Sequence, residues 1–197
     1  MDERTTPWQR LTGPGRYPVQ YARWLTNPLR HLIMPPGRLV RRLRLLPTDR
    51  VLEVGCGPGF FSPTVAHRLT DGQLTLFDAQ PPMLEMAAQR LQQRGLTNFT
   101  SVAGSAAALP FADESFDVVF MITVLGEVAD RAAAVAEAAR VLRARGRFSA
   151  TEAAGDPDRV QAAELDALAA RAGLEPAQRW PGILIKTFNY GKPSQSA

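Results

Sequence analysis

The segment at residues 51–59, V-L-E-V-G-C-G-P-G, is the feature that most restricts the fold of this chain. A short apolar strand runs directly into three glycines at alternate positions, Gly55, Gly57 and Gly59. Glycine adopts backbone conformations closed to other residues, and it lets a ligand approach without meeting a Cβ atom. Such a loop after a first strand predicts an open α/β sheet with a ligand site at the carboxyl edge of its strands.

Strand and helix patterns alternate after this loop, which predicts a parallel sheet with crossover helices. Strands are predicted at 51–54, 73–77, 99–103, 116–122 and from about residue 146, and helices at about 82–94, 131–142 and 157–172. Two final strands, at 174–180 and 183–189, are separated by two residues and predict an antiparallel hairpin. Before the first strand, the pattern predicts an irregular arm at 1–16 and helices at 17–33 and 36–46.

A carboxylate stands where it could complete the ligand site. Asp78 lies 23 residues after Gly55 and directly follows the second strand, so it can accept hydrogen bonds from both hydroxyls of a ribose. Taken singly, the glycines could form a tight turn and Asp78 could cap a helix. Together they predict a nucleoside site. Phe60 occupies the position of the last glycine in a G-x-G-x-x-G dinucleotide fingerprint, which argues against nicotinamide binding.

Three motifs within residues 51–119 carry a resemblance to a known family: V-L-E-V-G-C-G-P-G-F-F-S, F-D-A-Q-P-P-M-L and G-S-A-A-A-L-P-F-A-D-E-S-F-D-V-V. With these motifs the sequence resembles the class I S-adenosylmethionine-dependent methyltransferases, particularly their small-molecule "type 11" branch. The resemblance implies a Rossmann-like three-layer sandwich, with a seven-stranded, mostly parallel sheet and an antiparallel C-terminal strand. It implies a helical lid at 1–47, a cofactor-binding domain at 48–197, and S-adenosyl-L-methionine as the cofactor.

The resemblance also implies roles for individual residues. The loop after the first strand would line the methionine part of the cofactor, Asp78 would bind the ribose, and Met83 would pack on the adenine. Ser105 stands where relatives usually have an adenine-binding aspartate. Met121 would flank the methionine chain, although it could equally belong to the core. The implied cofactor-binding set is Glu53, Gly55, Cys56, Gly57, Gly59, Asp78, Ala79, Met83, Ser105, Ala106 and Met121.

No catalytic residue is identified by the motifs. Methyl transfer from a sulfonium is a displacement at an activated carbon, and a general base is needed only for a weakly acidic acceptor. The candidates after the fourth strand are Thr123, Glu127 and Asp130. Glu127 is the candidate base, but its charge could simply favour the amino terminus of the next helix.

The expected acceptor is a small molecule. No N-P-P-[YF] motif follows the fourth strand, which argues against methylation of the amino group of adenine or glutamine. Cys56 lies in the glycine loop rather than beside that strand, which argues against covalent attack on a cytosine ring. Neither observation excludes RNA altogether. Tyr17, Tyr21 and Trp24 could stack an acceptor ring or could only anchor the lid. Two alternatives to a methyltransferase remain: a non-catalytic binding module and, with less support from the sequence, a nicotinamide-dependent oxidoreductase.

Composition excludes several other classes. A single cysteine and two histidines predict no disulfide and no metal site. No apolar run approaches the ~20 residues of a membrane span, and no secretory signal is visible, so a cytoplasmic location is expected. Residues 1–50 hold ten arginines against three acidic residues, a net charge of +7 in a chain of net charge +4. The insertion that similar enzymes often have between the fifth strand and the last helix is absent here, so the cap over the pocket is small. A small cap predicts an open pocket or one completed by a second subunit in a homodimer.

Overall fold

The computed structural model describes residue 32, residues 34–154, residue 156 and residues 158–194. Helices and strands alternate over most of this part of the chain. In chain order they are α1 (Pro36–Leu43), β1 (Arg50–Val54), α2 (Ser62–Ala66), β2 (Gln73–Asp78), α3 (Pro81–Gln92), β3 (Phe99–Ala103), β4 (Phe116–Ile122), a 3-10 turn (Leu125–Glu127), α4 (Arg131–Val141), β5 (Leu142–Ala153), α5 (Ala162–Arg171), β6 (Glu175–Trp180) and β7 (Ile185–Gly191).

The strands form one seven-stranded sheet in the order β3-β2-β1-β4-β5-β7-β6. Neighbouring strands from β3 through β5 are parallel, and β7 is antiparallel to both β5 and β6. This arrangement confirms the predicted mostly parallel sheet with its antiparallel C-terminal strand. Because the parallel strands point the same way, the loops that follow β1, β2, β3 and β4 meet at one edge.

Two apolar cores, one on each face of the sheet, make the fold a three-layer sandwich. On one face α1, α2 and α3 bury Leu39, Val65 and Ala87 against the sheet. On the other face α4 and α5 bury Val135 and Leu165. Helices on both sides explain why β4 is buried at every position and why its sequence is a continuous apolar run apart from Asp117.

Two predicted element starts were wrong because contacts with β4 and within the end of β5 override the local sequence pattern. The strand expected from residue 146 begins at Leu142, since a bulge between the Phe116 and Val118 pairings accommodates extra residues of β5. The helix expected from residue 157 begins at Ala162. Just before it, the Val160 N–H donates to the Glu152 carboxylate at 3.2 Å, which holds the preceding segment outside the helix.

The final hairpin is antiparallel as predicted, but its turn is longer. Strand β7 begins at Ile185 rather than at residue 183, so residues 181–184 connect it to β6. Pro181 and Gly182 contribute to this four-residue connection. The hairpin therefore carries an exposed tip instead of a two-residue turn.

The L-P-F-A-D motif at residues 109–113 is held in its conformation by Arg140 on α4. The guanidinium donates to the backbone oxygens of Leu109 and Phe111 at 3.0 and 2.8 Å, and it pairs with Asp113 at 2.6 Å. Glu137, one helical turn away, pairs with Arg140 at 2.7 Å and accepts from the Leu109 N–H at 2.7 Å. The motif is thus a loop bound to α4, and it leads from β3 into β4.

The predicted arm and the helix at 17–33, with the aromatic residues Tyr17, Tyr21 and Trp24, lie outside the described residues. In the part that is described, α1 packs beside β7, where the Arg42 guanidinium donates to Thr187 Oγ1 at 2.8 Å.

The described residues include no helix long and apolar enough to cross a membrane. They also contain no group of three or more His, Cys, Asp or Glu side chains that could hold a metal ion.

Candidate functional site

The loop after β1 is shaped by left-handed glycines. Gly55, Gly57 and Gly59 have φ angles of 70°, 52° and 75°, a region that L side chains rarely adopt. The N–H groups of Gly55 and Cys56 both donate to the Phe77 carbonyl, at 2.7 and 3.2 Å. The loop is therefore bound to the end of the neighbouring strand β2.

Two of these glycines are also required by close packing. A Cβ atom at Gly55 would meet the side chain of Val124, which follows β4. A Cβ atom at Gly59 would lie 2.8 Å from the Cα of Ala87 on α3. At Gly57, by contrast, a Cβ atom would meet nothing within 4 Å. The backbone at Gly57 is the part of the loop that is open to a ligand.

Asp78 links this loop to the end of β2. Its Oδ2 accepts from the Gly57 N–H at 2.9 Å, and its Oδ1 accepts from the Gln80 N–H at 2.9 Å. The residue is buried, and it does not cap α3, whose N-cap is Gln80. The two hydrogen bonds fix the carboxylate between the glycine loop and the start of α3.

A cavity of about 350 Å³ opens at this edge of the sheet. It is bounded by the loops after β1, β2, β3 and β4, and it brings together most residues of the predicted site. The predicted residues that line it are Glu53, Gly55, Cys56, Gly57, Asp78, Ala79, Met83, Ser105, Ala106 and Glu127. Its volume is within the range of pockets that hold small molecules.

Two predicted residues lie outside this lining. Gly59 packs against α3, as described above. Met121 belongs to the core on the opposite face of the sheet, together with Val54. Side chains alternate along a strand, and Glu53 is paired in register with Phe120, so Phe120 and Ile122 line the cavity instead. The alternation in β4 is hidden in the sequence because both faces are apolar.

Burial controls the electrostatics of Glu53. This side chain is 3% exposed, and its Oε2 has no hydrogen-bond partner among the described residues. Burial raises the pKa of Glu53 to about 8; the Ser62 hydroxyl opposes the rise and the Asp78 carboxylate adds to it. An unpartnered buried carboxyl oxygen beside the cavity fits a cationic group of a ligand.

The Cys56 thiol is not activated as a nucleophile. Burial raises the pKa of Cys56 well above its ordinary value, and the nearby carboxylates of Glu53 and Asp78 raise it further. A thiol needs a lowered pKa to react as a thiolate at neutral pH. Cys56 therefore serves as part of the cavity wall.

The side of the cavity next to β4 holds the catalytic candidates. Thr123 lines it with a φ of 54°, an unusual conformation for a β-branched residue. Glu127 lies on the 3-10 turn and also lines the cavity. Asp130 caps α4 by accepting from the Ala133 N–H at 2.9 Å. The helix cap is therefore Asp130, and Glu127 lies three residues before it, at the cavity wall.

Comparison with known proteins agrees with this geometry. A family model described as a methyltransferase domain matches residues 52–150, about half of the chain. A ubiquinone/menaquinone biosynthesis C-methyltransferase, UbiE, from Xanthomonas oryzae pv. oryzae is 36% identical over 115 residues, which cover 57% of this chain and 46% of that protein. The uncharacterized methyltransferase YcgJ of Bacillus subtilis is 34% identical over 116 residues, covering 57% of this chain and 44% of YcgJ.

A solved structure extends the agreement to the fold. A SAM-dependent methyltransferase from Aquifex aeolicus superimposes with a TM-score of 0.83 at 19% identity, covering 90% of this chain and all of that one. The chain belongs to the methyltransferase domain family, in the type 11 branch of the class I S-adenosylmethionine-dependent methyltransferases. It spans less than half the length of the curated relatives it matches.

The double requirement for glycine at Gly55 can be measured. Gly55→Ala should cost about 1–2 kcal/mol of unfolding free energy from its left-handed φ, plus a clash with Val124. Adding Val124→Ala should relieve the clash, so the double variant loses less than the sum of the two single variants in urea unfolding. Gly95→Ala is the matched control, because Gly95 has a φ of 69° and nothing within 4 Å. Equal costs for Gly55→Ala and Gly95→Ala would contradict the clash.

The raised pKa of Glu53 predicts a pH dependence of stability. The folded protein keeps the Glu53 proton up to about pH 8, whereas the unfolded chain loses it near the ordinary value of 4.5. The Glu53 contribution to stability should therefore fall as pH rises between these values, by at most about 1.4 kcal/mol per pH unit. Glu53→Gln cannot ionise, so its unfolding free energy relative to wild type should increase from pH 5 to pH 8.

Glu175→Gln, at an exposed position of β6, controls for the substitution itself. Urea unfolding of the ligand-free proteins at several pH values gives the comparison. A constant difference between wild type and Glu53→Gln across this range would show that the Glu53 pKa is not raised.

Proposed function

We propose that this protein transfers a methyl group from S-adenosylmethionine to a small-molecule acceptor. The observation that carries the proposal is the contact between the Gly57 N–H and the Asp78 carboxylate at the wall of one cavity. It places an open backbone and a carboxylate side by side, as an adenosyl ligand requires. The family assignment supports the same donor.

The cavity offers each part of the donor a matching surface. In this proposal Asp78 binds the ribose hydroxyls, while Met83 and the loop at Ser105 and Ala106 flank the adenine. The unpartnered Glu53 oxygen faces the ammonium group at the methionine end. Pairing with that cation would lower the pKa of Glu53 and offset the cost of its burial.

The protein contributes mainly position and exclusion of water. When bound, S-adenosylmethionine supplies a methyl group on a positively charged sulfur, which is already activated for displacement. Phe60, Phe61 and Phe120 line the cavity with apolar surface. Such walls exclude water and hold the acceptor in line with the methyl group.

The acceptor would enter beside β4, between Thr123 and Asp130. Glu127 is the candidate for taking a proton from the acceptor, because it lines this side of the cavity. The UbiE relatives, named as C-methyltransferases of ubiquinone and menaquinone biosynthesis, support a small-molecule acceptor. We further propose that residues 1–47 form a lid and that a homodimer could complete the pocket.

Calorimetry with S-adenosylhomocysteine tests donor binding. Asp78→Ala should weaken binding by about 1 to 3 kcal/mol, because the ribose hydroxyls and the Gly57 N–H both lose their acceptor. Asp71→Ala, at an exposed position before β2, should bind as wild type does. A radiolabelled donor offered with thiol, phenol, amine and carbon acceptors then tests transfer.

Three results separate the candidate functions. Binding of S-adenosylhomocysteine together with methyl transfer to one acceptor class supports the proposed methyltransferase activity. Product binding without transfer to any of them would favour the non-catalytic binding module. Binding of NAD with no response to S-adenosylhomocysteine would overturn the donor assignment altogether.

A further inference from the structure

The turn of the β6–β7 hairpin is an exposed apolar tip with basic flanks. Residues 179–186 read R-W-P-G-I-L-I-K. Ile183 is 93% exposed and Leu184 is 57% exposed, whereas Phe188 and Tyr190, further along β7, are buried. Two adjacent exposed aliphatic residues at the end of a hairpin cost hydration free energy unless a partner covers them.

The tip lies at the same sheet edge as the cavity. Strand β7 starts opposite the carboxyl end of β5, where Ile185 pairs with Ala153 and the Ala154 N–H donates to the Leu184 carbonyl at 2.7 Å. The cavity is bounded by the loops that follow the parallel strands at this edge. A surface that covers the tip would therefore face the cavity side of the molecule.

The exposed charges nearest the tip are positive. Its acidic neighbours are buried or partly buried: Glu152 pairs in register with Lys186, and Asp156 and Asp158 follow the end of β5 that contacts Leu184. No acidic residue occurs between positions 176 and 197. Lys186 is exposed and makes no ion pair among the described residues, and Arg179 pairs with Asp166 at 2.8 Å while remaining half-exposed. Trp180 is partly buried beneath the Arg42 guanidinium, 5.7 Å from the ring centroid. Tryptophan, aliphatic residues and flanking cations together are typical of segments that enter a membrane interface.

We propose that this tip binds the surface of an anionic phospholipid bilayer. Ile183 and Leu184 enter the interfacial region, Trp180 lies at headgroup level, and Lys186 approaches the lipid phosphates. The contact is peripheral, and no spanning helix is needed. Its consequence for catalysis rests on the proposed function: the methyl acceptor would be a molecule that dissolves in lipid and enters the cavity from the membrane side.

Vesicle sedimentation of the full chain tests the contact without any methyl transfer. Wild type should bind phosphatidylcholine vesicles that contain phosphatidylglycerol more tightly than vesicles of phosphatidylcholine alone. Ile183→Ser with Leu184→Ser should reduce binding to both by at least about tenfold. Lys186→Glu should reduce binding about tenfold, and only on the anionic vesicles.

Two controls sit at the opposite edge of the sheet. Leu46→Ser replaces an aliphatic residue that is 55% exposed before β1, and Arg68→Glu reverses an exposed charge after α2. Both should leave vesicle binding unchanged. Calorimetry with S-adenosylhomocysteine on each variant shows separately that the donor site is intact, so failure of the membrane contact and failure of the proposed function are distinguishable.

The proposal is overturned if wild type does not sediment with anionic vesicles, or if the double serine variant binds them as tightly as wild type does. It is also overturned if wild type self-associates in sedimentation velocity and the double serine variant does not. In that case the tip would pack against a second copy of the chain.

Discussion

The hydrogen bond from the Gly57 N–H to the Asp78 carboxylate holds the site together. It joins the loop after β1 to the end of β2, in a segment where Gly55, Gly57 and Gly59 all have left-handed φ angles. The neighbouring bonds to the Phe77 carbonyl fix the start of the same loop. Through these contacts the parallel sheet determines where an open stretch of backbone and a buried carboxylate meet.

A second consequence of this arrangement is electrostatic. Glu53 and Asp78 lie at the ends of adjacent strands, and the Asp78 carboxylate adds to the cost of ionising the buried Glu53. Asp78 has two backbone N–H donors, whereas Glu53 has an unpartnered oxygen and a pKa near 8. Burial and the neighbouring Asp78 carboxylate therefore both favour the protonated form of Glu53 in the ligand-free cavity, and a cationic group beside it would favour the ionised form.

Much of the fold could be predicted from sequence because its signals are local. The glycine loop, the apolar strands and Asp78 are each visible within a short window, and the order of strands and helices follows from them. The register between neighbouring strands, by contrast, depends on residues that are far apart in the sequence. The sequence leaves Met121 equally suited to the cofactor site and to the core, and only the pairing of β1 with β4 places Phe120 at the cavity and Met121 in the other core.

Long-range contacts explain the other differences. Gly59 looked like a ligand-contacting glycine, yet its missing side chain makes room for Ala87, which is 28 residues away in the sequence. The start of α5 depends on Glu152, a residue of β5 that accepts from the Val160 N–H. Val124, which no motif marks, limits the loop after β1 because it packs on Gly55.

The proposed binding of one adenosyl ligand between the loop after β1 and Asp78 can be examined in a crystal structure with S-adenosylhomocysteine. We expect the ribose hydroxyls within hydrogen-bond distance of Asp78, with the methionine end beside Glu53 and the backbone at Gly57. A nucleoside bound elsewhere on the molecule, with no contact to Asp78, would contradict the proposed site.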